Sequence, residues 1–234
     1  MSIAELRREY TLAGLRRKDL ESNPILQFQR WFEQATGERR SGKVQSLLVR
    51  AYKSLLGIES SEMGDLNAMT LATADAQGRP SVRVVLLKGL DERGFSFYTN
   101  YQSRKARELE ENPNAALNFF WPHLERQVCV AGKVERVSVA ESDAYFMSRP
   151  RGSRIAAWAS DQSSPVRDRA ELEQKWGNFE KQYANQEVQR PPDWGGFLLR
   201  PVRMEFWQGR PNRLHDRFRY TLEESFWRIE RLSP

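Results

Sequence analysis

From about residue 67 onward, short β-forming runs follow one another across tight turns, and this pattern constrains the fold more than any other feature. Residues 68–75 lead through the turn dipeptide Gln77-Gly78 into residues 81–88. Residues 91–94 read as another turn, and 95–100 as the next strand. Further strands are predicted over 115–121, 126–137, 196–200, 204–208, 214–220 and 226–231. Helices are set between them. One spans 103–111 with Ser103 as its N-cap. Another opens on the Ser138/Glu141 capping box and ends at Arg149-Pro150, and a third opens at Ser164-Pro165 with Leu172, Trp176, Phe179 and Tyr183 on one face. Asn23-Pro24 starts an earlier helix whose Ile25, Phe28, Trp31, Phe32 and Ala35 fall at helical spacing. Residues 43–57 form one more amphipathic helix, with Val44, Leu47, Leu48, Ala51, Leu55 and Leu56 opposite a solvated basic face. This order does not repeat βαβ units. It predicts an α+β chain, mainly β: an antiparallel barrel or sheet with peripheral helices. No G-x-G-x-x-G and no Walker A motif occurs, so neither a Rossmann site nor a P-loop is expected.

Composition supports one sizeable core, with 12 Phe, 7 Trp and 7 Tyr in 234 residues. No run of about 18 apolar residues suggests a membrane helix. The charged start MSIAELRREYTLAGLRRKDL does not read as a secretory leader. A single cysteine, Cys129, leaves no internal disulfide, and a reducing cytoplasm is the expected compartment. Two histidines and one cysteine are too few for a usual zinc site, so no metal is expected. The net charge of +6 admits nucleic acid as a partner. Acids are interleaved with the bases throughout, however, and an anionic, phosphorylated small molecule explains the same excess.

Four constellations could carry chemistry. Ser103-Arg104-Lys105 opens a helix, where free backbone N–H groups and the dipole favour a phosphate; the same residues also suit a plain N-cap followed by solvated cations. Arg83 and Lys88 bracket four apolar residues on one strand, but their parity differs. A bulge is needed for both to reach one ligand, or else one of them reaches to water. In RLHDRFRY, Arg213, His215 and Arg217 share one face if the segment is a strand, lining an anionic ligand or charging an exposed edge. In YFMSRPRGS, Tyr145 and Arg149 share a helix face and Ser153 follows the helix end, which suits a second phosphate or an ordinary helix terminus. No nucleophile triad or carboxylate pair stands out. Phosphate clamping around flat rings suggests a cofactor that performs the reaction.

In order along the chain, RREYTLAGLRRKDL, SVRVVLLKG, FYTNYQSRKARELEENP, LERQV, YFMSRPRGS, EFWQG and RLHDRFRY resemble the pyridoxine (pyridoxamine) 5′-phosphate oxidase family. The resemblance implies an FMN-binding split β-barrel of antiparallel, Greek-key type. It implies a homodimer with active sites shared between subunits, and oxidation of pyridoxamine and pyridoxine 5′-phosphates to pyridoxal 5′-phosphate with O2 as acceptor. FMN contacts carried over are Arg83, Val84, Val85, Leu86, Lys88, Tyr98, Thr99, Arg104, Lys105, Gln127, Gln162, Ser163, Trp207 and Arg217. Substrate positions are Arg7, Tyr10, Asp65, Lys88, Tyr145, Arg149, Ser153, Arg213 and His215, the last two flanking the reacting ring. The expected organisation is a mobile arm over 1–22 and a single domain over 23–234; the stretch over 36–63 departs from the family pattern as a longer, helical insertion. Arg16-Arg17-Lys18 resembles a product-binding regulatory region of some relatives. The alternatives are a split-barrel flavin oxidase of the phenazine-pathway type and a non-catalytic carrier of FMN or pyridoxal phosphate.

Overall fold

The computed structural model describes residues 9–12, 14–37 and 66–234. The predicted helix over 43–57, most of the 36–63 segment, Arg7 and Asp65 lie outside the described residues. The helices are α1 (Pro24–Thr36), α2 (Arg104–Glu111), α3 (Val139–Ser148), α4 (Arg151–Ala159) and α5 (Arg169–Gln182). The strands are β1 (Ala68–Ala74), β2 (Pro80–Leu86), β3 (Gly89–Asp91), β4 (Gly94–Asn100), β5 (Asn114–Trp121), β6 (Arg126–Arg136), β7 (Trp194–Gln208), β8 (Asp216–Glu223) and β9 (Phe226–Leu232). They form a sheet in the order β2-β1-β5-β6-β7-β4-β3, with β8 on β7 and β9 on β8. The pairings of β3 with β4, β4 with β7, β7 with β8, and β8 with β9 are all antiparallel. This is the mainly antiparallel α+β architecture that the turn pattern predicts.

Local chemistry sets most boundaries. The Asn23 side chain accepts the Ile25 N–H at 2.8 Å, Pro24 takes the first helical position, and Gly37 ends α1 in the left-handed region. Ser138 and Glu141 form the expected reciprocal capping box at α3.

Four boundaries differ from the sequence expectation. The strands predicted over 196–200 and 204–208 are one strand, β7, whose first half pairs with β4 and whose second half pairs with β8. Pro201 falls between these two registers, where its missing N–H costs neither ladder a bond. Pro150 begins a helix as well as ending one. Arg149 before it is extended (ψ 148°), and α4 follows at once, so Ser153 lies inside a helix and not in a loop after one. The α5 helix starts at Arg169, capped by the Asp168 side chain on the Glu171 N–H (2.9 Å), and Ser164-Pro165 belongs to the preceding turn. Finally, β8 begins at Asp216, and Pro211–Arg213 form a 3-10 turn in which Asn212 and Arg213 both take positive φ.

The chain divides into two compact units. One comprises the described residues up to Thr70 with Leu117–Ala131 and Pro201–Pro234, and its core is aromatic. Phe28 on α1 is fully buried, edge-on to Phe119 with ring centroids 4.7 Å apart, and Trp31 meets Phe206 at 5.2 Å. The other unit comprises Leu71–Ala116 and Gly132–Arg200. There Phe97 stacks on Phe197, and Phe146, Ile155, Tyr183, Val188 and Trp194 form a second buried group.

Phe28→Ala should cost about 3–5 kcal/mol, the usual penalty for deleting a fully buried ring. Urea unfolding followed by fluorescence measures this, and a loss below about 1 kcal/mol would contradict the assignment of Phe28 to the centre of the first core.

Candidate active site

A cleft of about 730 Å³ opens in the second unit. Its walls come from β2, the segment to Lys88, the end of β4, the start of α2, the helices α3 and α4, Ser160–Ser163 and Trp194. It gathers Arg83, Val84, Val85, Leu86, Lys88, Tyr98, Thr99, Arg104, Lys105, Tyr145, Arg149, Gln162 and Ser163, all picked out from the sequence. Ser153, on α4, is not among the lining residues.

The parity conflict between Arg83 and Lys88 disappears because the strand stops. β2 ends at Leu86, Leu87 turns inward, and the Lys88 N–H bonds to the Ser96 carbonyl at 2.9 Å. Breaking the two-residue alternation lets both cations face one space.

Below the cleft floor a carboxylate organises two of its cations. Glu108, almost fully buried on α2, accepts hydrogen bonds from Thr73 and Ser81 at 2.5 Å each, from Arg83 Nη2 at 3.2 Å and from Arg104 Nε at 2.7 Å. Burial opposes its ionisation, but the bonds from Ser81, Thr73, Arg104 and Arg83 overcome that and hold its pKa down at about 2. Glu108 is not among the site residues that the sequence predicts. The signal available was its spacing of four from Arg104 on one helix face.

Among the described residues Lys105 forms no ion pair. Its Nζ donates to Thr99 Oγ1 (3.1 Å), Ser103 Oγ (3.3 Å) and Gln162 Oε1 (3.0 Å). Burial and then the charge of Arg83 lower its pKa to about 8, against a weaker upward pull from Glu108. Ser103 stands at the N-cap position without capping, because its hydroxyl donates to the Asn100 carbonyl at 2.7 Å. The Arg104 N–H is met instead by the Ser163 hydroxyl (3.2 Å), which a left-handed Ser163 brings into reach.

The far wall is aromatic. Tyr98 and Tyr145 stack at 3.9 Å, and Trp194 lies nearly parallel to both, at 5.7 and 6.1 Å. Arg149 rests over Trp194 with its Cζ 4.6 Å from the ring centroid, and its buried Nη1 has no hydrogen-bond partner among the described residues. Burial lowers the Arg149 pKa and raises those of Tyr98 and Tyr145. Trp194 was absent from the sequence expectations; Trp194-Gly195-Gly196 after a proline-rich turn was the available signal.

The remaining predicted residues that are described, Tyr10, Gln127, Trp207, Arg213, His215 and Arg217, lie in the first unit. His215 meets Trp207 at 4.7 Å and Tyr10 at 5.6 Å, and Tyr10 is edge-on to Trp207 at 5.4 Å. The His215 Nδ1 accepts the Arg210 N–H at 3.1 Å. Burial, followed by the charge of Arg213, lowers the His215 pKa. Gln127 donates to Cys129 Sγ at 3.3 Å, and Arg217 pairs with Glu205 at 2.8 Å. The expected face of three donors is not formed. Arg213 sits in the Pro211–Arg213 turn and only Arg217 lies within the strand, because Pro211 and the two positive-φ residues after it delay pairing until Asp216. Among the described residues, no cluster of three metal-ligating side chains occurs, and no helix is long and apolar enough to cross a membrane.

Comparison with known proteins gives this geometry a class. A family model described as pyridoxamine 5′-phosphate oxidase matches residues 61–183, and one described as the pyridoxine 5′-phosphate oxidase C-terminal dimerisation region matches 194–234. The chain belongs to the pyridoxamine 5′-phosphate oxidase family. Proteins named pyridoxine/pyridoxamine 5′-phosphate oxidase from Rubrobacter xylanophilus and Crocosphaera subtropica are 52% and 49% identical to it. The alignments cover 99% and 100% of this chain, and 96% and 100% of theirs. Among solved structures, PhzG from Burkholderia lata, determined with tetrahydrophenazine-1-carboxylic acid, superimposes with a TM-score of 0.79 at 27% identity, covering 97% of this chain and 100% of that one. A pyridoxamine 5′-phosphate oxidase-related, FMN-binding protein from Nostoc punctiforme shares the fold at a TM-score of 0.60 and 18% identity, covering 84% of this chain and 100% of that one. The fold is the split barrel of this family.

Glu108→Gln should lower stability at pH 7 by about 1–3 kcal/mol. The carboxylate's contribution is complete above its unfolded pKa near 4.5 and is lost as pH falls toward about 2, so the variant should lose less stability than the wild type across that window. Denaturant unfolding at pH 7 and pH 3 measures both, and equal acid sensitivity of the two proteins would contradict the role.

Proposed function

We propose that the cleft holds FMN and that the chain oxidises the C4′ carbon of pyridoxamine and pyridoxine 5′-phosphates to the aldehyde of pyridoxal 5′-phosphate. The observation that carries this reading is the presence of anion-binding cations on two separate elements of one cleft: Arg104 and Lys105 at the start of α2, and Arg149 beyond α3, with a buried Nη1 that lacks a partner. A phosphorylated cofactor and a phosphorylated substrate need two such stations. The full-length relatives at about half identity carry the same activity in their names.

The donor set fits FMN. Arg104, Lys105, Gln162 and Ser163 would hold its phosphate at the helix start. Arg83, the β2 backbone over Val84–Leu86, Tyr98 and Thr99 would hold the ring system. Bound there, FMN would supply a two-electron acceptor that dioxygen reoxidises to give hydrogen peroxide; water would hydrolyse the imine formed from the amine substrate, releasing ammonia as the aldehyde forms. Lys88, Tyr145 and Arg149 bind the substrate phosphate and thereby fix C4′ in position, with Ser153 assigned to the same end. Burial and the charge of Arg213 favour the neutral form of the His215 imidazole. With Nδ1 accepting the Arg210 N–H, Nε2 would carry the proton and donate toward the substrate ring. Arg213 beside it offsets negative charge that develops there.

Gln127, Trp207, Arg213, His215 and Arg217 line no part of the cleft. Four of them, Trp207 onward, fall within the matched dimerisation region. A homodimer in which a second copy supplies this set completes the site, and Arg7 and Tyr10 of the N-terminal arm close over it. Asp65 is assigned near the substrate. The phenazine-type alternative rests on a structure at 27% identity, well below the oxidases.

Aerobic turnover tests the reading. Pyridoxine 5′-phosphate should yield pyridoxal 5′-phosphate and peroxide, and Arg149→Ala should raise KM by about ten-fold or more, as loss of a charge-assisted phosphate contact implies. Equal use of unphosphorylated pyridoxine by the wild type would contradict it. FMN binding also carries a pH signature. Lys105 loses its proton above about pH 8 in the free protein, and the phosphate requires it charged, so binding above pH 8 should take up a proton. The dissociation constant should then rise toward ten-fold per pH unit, and Lys105→Met should abolish that dependence. A pH-independent constant between pH 8 and 10 would contradict the clamp.

A further inference from the structure

We propose that Trp194 is a positioning residue for the substrate phosphate: its indole holds the Arg149 guanidinium at the cleft without neutralising it. The proposal rests on the reading of Arg149 given above and adds the device that presents it.

A half-buried guanidinium in a folded protein ordinarily pairs with a carboxylate. Among the described residues Arg149 makes no such pair. Its neighbours are rings, Trp194 at 4.6 Å and Phe146 at 5.6 Å, and its Nη1 is buried with no partner. A carboxylate would hold the side chain more strongly, but it would also compete with an incoming phosphate for the same N–H groups. The face of an aromatic ring attracts the cation through its quadrupole and leaves those groups unspent.

Trp194 is itself rigidly held. It is 7% exposed, Phe146 meets it edge-on at 5.2 Å, and its carbonyl accepts a hydrogen bond from Arg190 at 2.5 Å. Its plane is 8° from that of Tyr145 and 15° from that of Tyr98. The two residues that follow leave room for neighbouring rings. A Cβ on Gly195 would run into the Tyr101 hydroxyl, and one on Gly196 would lie 2.7 Å from Tyr98 Cε1 in the stack. The Trp-Gly-Gly tripeptide therefore brings one large ring to the wall and keeps the strand behind it bare for two others.

The test uses holoprotein with FMN bound, and two variants, Trp194→Leu and Trp194→Phe. In Trp194→Leu, KM for pyridoxine 5′-phosphate and the inhibition constant for inorganic phosphate should both rise about ten-fold, with kcat falling less than about three-fold and flavin content retained. Trp194→Phe keeps a smaller ring and should lie between the two. A folded, yellow Trp194→Leu protein with unchanged KM and unchanged phosphate inhibition would overturn the proposal, as would a fall in kcat with neither constant moved. Should Trp194→Leu fail to fold, Trp194→Phe decides: a rise of about three-fold in the phosphate constant supports the proposal, and none overturns it. A wild type that does not turn over pyridoxine 5′-phosphate would instead refute the functional reading. Inorganic phosphate titrated against the intrinsic fluorescence of the holoproteins would then still decide on Trp194, with weaker binding in the variants supporting it and equal binding overturning it.

Discussion

Keeping positive charge at a cleft wall without cancelling it is the constraint on which the rest of this structure depends. Removing a cation from water is costly, and an adjacent carboxylate is the usual compensation. Here the compensation is rationed. Arg83 and Arg104 share a single acid, Glu108, placed beneath the floor. Lys105 is held by three neutral oxygens, and Arg149 by ring faces. Each device fixes a side chain and leaves net positive charge directed at the same space. A cleft built this way is an anion receptor before any ligand is considered, and its two cationic stations suit a phosphorylated cofactor beside a phosphorylated substrate.

The sequence made legible those features whose physical cause is complete within a few residues. Asn23-Pro24, the Ser138/Glu141 box and the Gln77-Gly78 turn satisfy backbone groups locally, and the structure places each as expected. The cations of SVRVVLLKG and SRKA were recognisable for the same reason: charge bracketing apolar residues, or gathered at a helix start, is visible without knowing the fold. Other features depend on contacts distant in sequence. Lys88 joins Arg83 because the strand ends two residues before it, which is decided by the pairing of its N–H with Ser96. Pro150 looked like a stop signal and is also a start, because α4 follows and packs against α5. Alternation predicts Arg213 on a strand, but two positive-φ residues turn the chain first. Trp194 carried no periodic signal, since its role comes from rings on β4 and α3 and from a cation after α3.

The family resemblance contributed what physical reading alone left open. Clamps for anions and flat walls define a receptor but not a reaction, and the order of short motifs along the whole chain narrowed the chemistry to one family. Of the described residues that the resemblance assigned to one site, thirteen line the cleft, Ser153 lies on α4 outside that lining, and the His215 group belongs to the other unit. The match of the C-terminal residues, the His215 group among them, to a dimerisation region agrees with a homodimer.

The most direct measurement is anaerobic mixing of the flavin-loaded protein with pyridoxine 5′-phosphate, followed by absorbance near the flavin maximum and then by admission of oxygen. The account predicts bleaching in the absence of oxygen, recovery of the yellow colour on aeration, and hydrogen peroxide in proportion to pyridoxal 5′-phosphate formed. A preparation that binds no FMN, or that binds it and stays oxidised under excess substrate, would contradict the account.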